Sequence, residues 1–245
     1  MMQSHTLVNT LIKRRQLFNK VVPFNAGNDK LFLIDFTAHN IALTDDILTD
    51  TGKFTEYIEN LLKVSHCKYG IGGYDEHRAV YSRSKVFDTD KYAAKKGAIE
   101  EPRRVHLGVD IWGLLDTPVY APLGGVVHSF AFNDNYGDYG ATIILQHQLD
   151  SVVFHTLYGH LSLKDLRHLK EGKFMSQGEV VGHFGPPHEN GQWPPHLHFQ
   201  VVKDMRVMKG DYPGVCKFSE RAHYLDNCPD PDLILQMMQY AKREN

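Results

Sequence analysis

The sequence has few cysteines and little excess charge, and both features exclude classes of protein. Three cysteines, Cys67, Cys216 and Cys228, cannot all pair within one chain, and none lies in a CxxC motif. We therefore expect free thiols in a reducing compartment rather than a disulfide-stabilised fold. A formal net charge of −2 over 245 residues gives no overall field that would attract nucleic acid or an anionic membrane.

Long apolar runs are also missing from the sequence. No stretch is long enough to cross a bilayer, and residues 1–24 lack the uninterrupted apolar core and small-residue cleavage site of a signal peptide. We expect a cytoplasmic protein with neither a nucleic-acid nor a membrane partner, and the oligomeric state stays open. Apolar residues still make up 42% of the chain, which is enough for a hydrophobic core.

Residues 1–100 combine helical and strand patterns. Apolar residues at helical spacing predict a helix within residues 5–22 and one or two helices within 43–66, and the apolar run at 30–36 predicts a buried strand. We expect an α+β region that either caps a cleft or extends the core. A charged connector, residues 88–104, precedes a change in character.

Residues 101–205 consist of short β-type runs separated by glycines, a pattern typical of an antiparallel β-sandwich or barrel-like core. Residues 206–245 form a C-terminal extension, in which Pro229 and Pro231 precede a predicted terminal helix with Asp230 as a candidate cap. The predicted fold class is therefore mainly β, with three segments divided near residues 100 and 205.

Histidines are concentrated in the β-type half, where 11 of the 15 lie between residues 106 and 223. His196 and His198 stand two residues apart in "HLHFQVV", so on a strand both side chains point to one face, about 7 Å apart. Either both bind one metal ion, or one binds it while the other reaches its bound water or a substrate. The alternative is the polar face of a half-buried strand.

His106 and Asp110 lie four residues apart in "HLGVD", where Gly108 and the β-branched residues argue against a helix. In an extended strand the two side chains would be about 13 Å apart, so a shared ion requires a bend. We assign the bend to Gly108 through backbone angles that other residues avoid. His160 ends another strand-like run, "LYGHLS", as either a structural or a catalytic imidazole.

The order H-x-x-x-D, Y-G-H-L-S, H-L-H-F strongly resembles the M23 family of zinc metallopeptidases, of the LytM and lysostaphin type. The segments "TPVYAP" and "GEVVGHFG" are also similar to that family, and the resemblance covers residues 103 to 203. It implies one Zn²⁺ per chain held by His106, Asp110 and His198, with a fourth position for water. It also implies that His160 and His196 lie beside the metal as catalytic residues, in roles that the sequence leaves unassigned.

The sequence departs from that family around the predicted site. Gln200 stands where a glutamate is usual, and the preceding loop, residues 185–195, is longer and rich in proline. In this loop Trp193 either lines a substrate groove or packs on the core, and His188 is a candidate fourth ligand or substrate contact.

Parts of the chain outside the M23-like segment also carry candidates. Arg78, Tyr81 and Arg83 either lie near the cleft and bind an anionic group or belong to a solvated strand face. The segments around them resemble a subgroup, cytoplasmic in character, that is sometimes fused to class III aminotransferases.

These features predict a zinc-dependent hydrolase that cleaves a peptide or amide bond, with a peptide or a small-molecule amide as its substrate. Two alternatives remain. One is a hydrolase of a small cytoplasmic metabolite, and the other is a binding module that keeps the zinc without catalysis.

Overall fold

A computed structural model describes residues 2–88 and 101–242, so most of the charged connector lies outside the described residues. Within them the α-helices are α1 Met2–Lys13, α2 Asp45–Thr49, α3 Thr51–Val64, α4 Arg221–Asn227 and α5 Asp232–Leu235. The strands are β1 Leu31–Leu33, β2 Tyr69–Gly72, β3 Arg103–His106, β4 Val109–Trp112, β5 Pro118–Tyr120, β6 Gly125–Asn133, β7 Gly140–Leu149, β8 Val152–Leu161, β9 Phe174–Met175, β10 Val180–His183, β11 His196–Val202, β12 Val215–Lys217 and β13 Ala241–Lys242. Single 3₁₀ turns occupy Arg15–Leu17, Ala79–Arg83, Lys85–Phe87, Leu163–Leu166, Phe218–Glu220 and Met238–Tyr240.

Nine of these strands form one mixed sheet in the order β13-β1-β2-β4-β11-β8-β7-β6-β9. From β2 to β9 every neighbouring pair is antiparallel, whereas β1 runs parallel to both β2 and β13. The remaining strands pair as β5 with β10 and β3 with β12. The fold is mainly β, as the sequence predicts.

Side chains along the central strands β4 and β11 point alternately toward the hydrophobic core and toward the candidate site. Leu197, Phe199 and Val201 of β11 enter the main hydrophobic cluster together with Val109 and Ile111 of β4. Because successive strand residues point to opposite faces, the polar residues of β11 and β4 share the other face. The central pair of strands therefore presents a chemically distinct surface on the side away from the main core.

The N-terminal region extends the core sheet and also covers part of its polar face. Strands β1 and β2 continue the sheet beyond β4. Phe54 of α3 packs against Trp112 and Trp193, with ring centroids 6.0 Å and 6.3 Å apart. This region therefore extends the sheet and packs on its polar face, while the capping of a cleft and the division into three segments stay predictions.

Other predicted elements differ in length from expectation. The first helix ends at Lys13 rather than reaching residue 22. The C-terminal helix α5 has four residues, because Gln236 turns into the left-handed region with φ 52° and the chain then pairs as β13. The Asp230 carboxylate accepts a hydrogen bond from the Asp232 amide, 2.8 Å away, as a cap would.

Cys67, Cys216 and Cys228 are all free thiols, as predicted. Among the described residues, every helix falls short of the length and apolar character that a bilayer span requires.

Candidate metal centre

Strand register brings four of the predicted site residues together. In the antiparallel pairing of β11 with β4, His198 lies opposite Asp110 and His196 lies opposite Trp112. On the other side of β11, His198 lies opposite Gly159 of β8, directly before His160. The two histidines of the H-x-H motif therefore face one region, as the strand period predicts.

The chain bends between β3 and β4, and the bend places His106 beside Asp110. The two strands belong to different sheets, and His106 Nε2 lies 3.2 Å from Asp110 Oδ1. The predicted bend is confirmed, but its assigned cause is wrong, because Gly108 has no left-handed φ. Gly108 is instead required by close approach, since a Cβ there would lie 2.6 Å from His198 Nε2.

Three ligand-type atoms form a compact triangle. His198 Nδ1 lies 3.0 Å from His106 Nε2 and 3.0 Å from Asp110 Oδ1, and the third side is the 3.2 Å separation just given. Bonds of about 2.0–2.1 Å to a tetrahedral zinc ion place its ligand atoms slightly more than 3 Å apart. The spacing of the triangle therefore fits one such ion.

The hydrogen bonds behind the two imidazoles determine which nitrogens carry lone pairs. His106 Nδ1 donates to the carbonyl oxygen of Gly73 at 3.0 Å, and His198 Nε2 donates to Gln200 Oε1 at 2.9 Å. In its neutral form each ring then presents its other nitrogen as an acceptor. Two such nitrogens and a carboxylate oxygen in one buried space are a ligand set that a cation would satisfy.

Arg78 completes the surroundings of Asp110. It is almost fully buried, and its Nη1 donates to Asp110 Oδ2, the oxygen outside the triangle. Its Nε donates to Glu76 Oε2 at 2.7 Å, and Nη1 also lies 3.3 Å from the Tyr81 hydroxyl. The guanidinium occupies one carboxylate oxygen and leaves Oδ1 for a metal.

Burial and charge set the protonation of these groups. Burial, helped by the charge of Arg78, lowers the pKa of His106 to about 4. Burial acts to raise the pKa of Asp110, but its interactions with His106 and with the Arg78 guanidinium outweigh burial and hold that pKa well below the usual value. The neutral imidazole and ionised carboxylate that metal binding requires are therefore the forms present at neutral pH.

His160 and His196 lie beside the triangle and stack on each other, with ring centroids 4.0 Å apart. His160 Nδ1 donates to the Asn190 carbonyl at 2.7 Å, and His196 Nδ1 donates to the Pro194 carbonyl at 2.8 Å. Burial lowers the pKa of His160 to about 4 and that of His196 well below its usual value. Both rings are thus neutral, with Nε2 as the acceptor nitrogen.

These groups line one cavity with a volume of 70 Å³, which contains His160, His196, His198 and Asp110 in its wall. Arg78 and Tyr81 also line it, so the solvated strand face considered for them is wrong. Arg83 is buried too, but it lies outside the lining and stacks on Trp193, with its guanidinium carbon 4.5 Å from the ring centroid.

Of the two candidate site residues in the proline-rich loop, Trp193 lies at the site and His188 does not. Trp193 both packs against Phe54 and lines the cavity, so its two alternatives coexist. His188 stays exposed, with its Nε2 3.7 Å from Glu189, and it does not reach the three ligand-type atoms.

Four residues near the ligands carry no metal-site motif of their own. Gly73 and Arg78 precede the M23-like segment, and Tyr139 and Gln200 approach His198 within it. Gln200 was visible as a departure from the usual glutamate, and the structure gives that position a function in orienting His198. The contacts of Gly73, Arg78 and Tyr139 depend on strand pairing that has no local sequence signal.

Comparison with known proteins identifies the M23-like segment independently. Residues 104–210 match the family model of peptidase family M23, and they make up less than half of the chain. The match confirms the resemblance found in residues 103–203 and supports the prediction of a hydrolase with a metal cofactor.

Individual relatives cover different parts of the chain. An L-Ala–D-Glu endopeptidase of Bacillus subtilis is 30% identical over 107 residues, which is 42% of this chain and 31% of that protein. The chain thus spans about a third of that curated relative.

Two solved structures are also similar. A zinc-containing peptidase of Vibrio cholerae is 26% identical, with 51% of this chain and 35% of that chain covered and a TM-score of 0.34. The catalytic domain of lysostaphin from Staphylococcus simulans is 21% identical, with 69% and 96% covered and a TM-score of 0.37.

Proposed function

We propose that this protein is a zinc-dependent hydrolase that cleaves a peptide or amide bond and binds one Zn²⁺ per chain. The proposal depends on one observation, the convergence of His106 Nε2, Asp110 Oδ1 and His198 Nδ1 within 3.0–3.2 Å of one another. Two nitrogens and one oxygen are the ligand set of a catalytic rather than a structural zinc site, in which one position is left to solvent or substrate.

The ligands and their neighbours have separate roles in this proposal. Zinc bound there would polarise the substrate carbonyl and activate a water for attack. His106, Asp110 and His198 hold the ion, while Gly73, Gln200 and Arg78 orient them from behind.

His160 and His196 move the protons. Each starts neutral with a free lone pair at Nε2, so either one can accept the proton of the attacking water at that atom. The protonated ring then donates from Nε2 to the developing oxyanion or to the leaving amine, and loss of the proton to the amine restores the neutral ring.

We also propose a cytoplasmic location, supported by the free thiols of Cys216 and Cys228, both of which are buried. Kinship with the subgroup that is sometimes fused to class III aminotransferases stays a prediction from sequence.

Metal content and hydrolysis test the proposal together. The protein purified without chelator should contain one zinc per chain and should hydrolyse members of a panel of short peptides and simple amides. His198→Ala should lose both properties. His196→Ala should keep the metal and lose about 10²–10⁴-fold in rate.

His223→Ala is the matched control, since His223 is exposed and lies outside the cavity lining. It should leave zinc content and rate unchanged. A wild-type chain that neither carries nor takes up zinc would contradict the proposal.

A further inference from the structure

The candidate site is enclosed to a degree that limits what can reach it. His106, Asp110, His160, His196 and His198 are each at most 6% exposed. Among the residues that the structure describes, four of these side chains, Asp110, His160, His196 and His198, line the 70 Å³ cavity, which gives access to the site. The dimensions of that cavity set the size of the group that can lie against the metal.

Two stretches of the cavity wall come from outside the segment that matches the peptidase family, while Trp112, Tyr139 and Trp193 line it from within that segment. One wall is formed by Val80, Tyr81, Val86 and Phe87 of the two 3₁₀ turns, and the facing wall by residues 211–215. The family match covers residues 104–210. The ligands and these two stretches of wall thus belong to different parts of the chain.

The first wall is held by packing. Tyr81 and Phe87 pack ring against ring with centroids 4.5 Å apart, and the Tyr81 hydroxyl is 3.3 Å from Arg78 Nη1. Arg83, in the same turn, stacks on Trp193 and donates from Nη2 to the Gln192 carbonyl at 3.1 Å. These contacts tie the wall to both Asp110 and the loop before β11.

The facing wall is held by hydrogen bonds to the site itself. The Gly214 carbonyl accepts from the Leu107 amide at 2.8 Å, and the Pro213 carbonyl accepts from Gln200 Nε2 at 3.1 Å. The Tyr212 hydroxyl accepts from Asn227 Nδ2 at 2.6 Å. Widening the cavity would break hydrogen bonds that also orient His198. The width of the cavity is therefore coupled to the geometry of the candidate metal centre.

We infer that the site takes only amides that end within a few atoms of the scissile bond, such as a dipeptide, the last residue of a longer peptide or a small acyl amide. This inference rests on the proposed function. A volume of 70 Å³ is about half that of an engineered cavity of roughly 150 Å³ that binds benzene, so only a few heavy atoms fit against the metal. A polypeptide cleaved in its interior would need room for several residues on both sides, at about 3.3 Å per residue.

Two metal-binding probes of different shape test this inference without turnover. The full chain is loaded with Co²⁺, and its visible absorption is followed during titration with acetohydroxamic acid or with an N-hydroxy amide placed in the middle of a hexapeptide blocked at both ends. Acetohydroxamic acid should change the spectrum. The blocked peptide should bind on the order of 100-fold more weakly, because the walls exclude the chain on one side.

Variants of the first wall give a second measurement. Phe87→Leu and Phe87→Ala should each strengthen binding of the blocked peptide and leave that of acetohydroxamic acid nearly unchanged. Phe24→Ala, which alters a partly buried ring outside the cavity lining, should change neither. The conservative Phe87→Leu preserves the test if the alanine variant does not fold.

Each outcome separates the inference from the proposed function. If Co²⁺-loaded protein binds both probes equally well, or binds neither probe, the size limit is wrong, but the proposal of a metal centre is unaffected. Failure to take up Co²⁺ or Zn²⁺ would overturn the metal centre and the size limit with it. The inference is supported if the metal-loaded chain cleaves dipeptides or peptide ends but not the same bond inside a blocked peptide. A comparison of small acyl amides with longer peptides that have a free end then distinguishes these two kinds of substrate.

Discussion

Single hydrogen bonds decide how the candidate ligands are presented. The Gly73 carbonyl accepts a hydrogen bond from His106 Nδ1, and the Gln200 side-chain oxygen accepts one from His198 Nε2, so that the other nitrogens of the two rings face each other at 3.0 Å. Arg78 does the same for Asp110 by occupying one of its oxygens. Outer contacts of this kind typically contribute a factor of about 10–100 to metal affinity.

Replacement of Arg78 by methionine tests its role at the residue scale. In the metal-free chain Asp110 would lose its buried cationic partner, and breaking a buried pair typically costs about 3–5 kcal/mol. With zinc bound, the ion supplies the missing positive charge, so the loss should be smaller. Thermal unfolding with and without zinc measures both values.

The exposed ion pair of Arg14 with Asp150 provides the comparison, at 3.0 Å and with both side chains more than a third exposed. Arg14→Met should cost under about 1 kcal/mol, equally with and without zinc. Equal losses for Arg78→Met in the two states would show that Arg78 is a structural residue without a specific relation to the metal.

At the scale of elements, the site is made by the turn between β3 and β4. His106 closes one strand and Asp110 lies in the next, and Gly108 between them passes directly against the His198 ring. A Cβ at Gly108 would also lie 2.9 Å from the Phe199 carbonyl oxygen, which belongs to the central strand and cannot move aside easily.

Gly108→Ala should therefore displace His198 and separate the ligand atoms. We expect a loss of about 1–3 kcal/mol in the free energy of unfolding from overpacking, together with weaker zinc binding in a competition titration against a chelator. Gly27→Ala, where the nearest atom is 3.4 Å from the added Cβ, should affect neither quantity. Unchanged zinc affinity in Gly108→Ala would refute the close-approach argument.

The elements that the sequence predicted well are those with a strong local pattern. Strand period alone placed His196 and His198 on one face, and helical spacing located α3 through Phe54 and Ile58, both of which are buried. The end of α1 at Lys13 and the reversal at Gln236 had no comparable signal, because tertiary pairing with β1 decides how the C-terminus runs.

For the site, local motifs identified candidate ligands but not the residues around them. The bend at Gly108 was expected for a conformational reason, whereas the structure shows a steric one. Arg78 could not be paired with Asp110 from sequence, since the pairing arises only when β2 joins β4.

At the scale of the whole molecule, buried neutral histidines make the fold sensitive to acid. Burial lowers the pKa of His147 to about 4, as it does for His106 and His160. In the unfolded chain these rings have pKa values near about 6.5. Below that pH the unfolded state binds more protons than the folded state, so stability falls as the pH decreases toward 4.

The metal-free protein should therefore unfold at a lower urea concentration at pH 5.5 than at pH 7. The loss should be roughly 1 kcal/mol for each such histidine. His160→Asn should reduce the pH dependence, and asparagine tolerates the left-handed φ of 62° at that position. Equal or greater stability at pH 5.5 would mean that these rings are already protonated in the fold.

Crystallography of the full chain soaked or grown with Zn²⁺ tests the central claim most directly. The claim predicts one ion per chain whose protein ligands are His106 Nε2, Asp110 Oδ1 and His198 Nδ1 alone, with His160 and His196 beside it and unligated. An ion held by a fourth protein atom, an ion bound elsewhere, or an empty triangle at saturating zinc would contradict it.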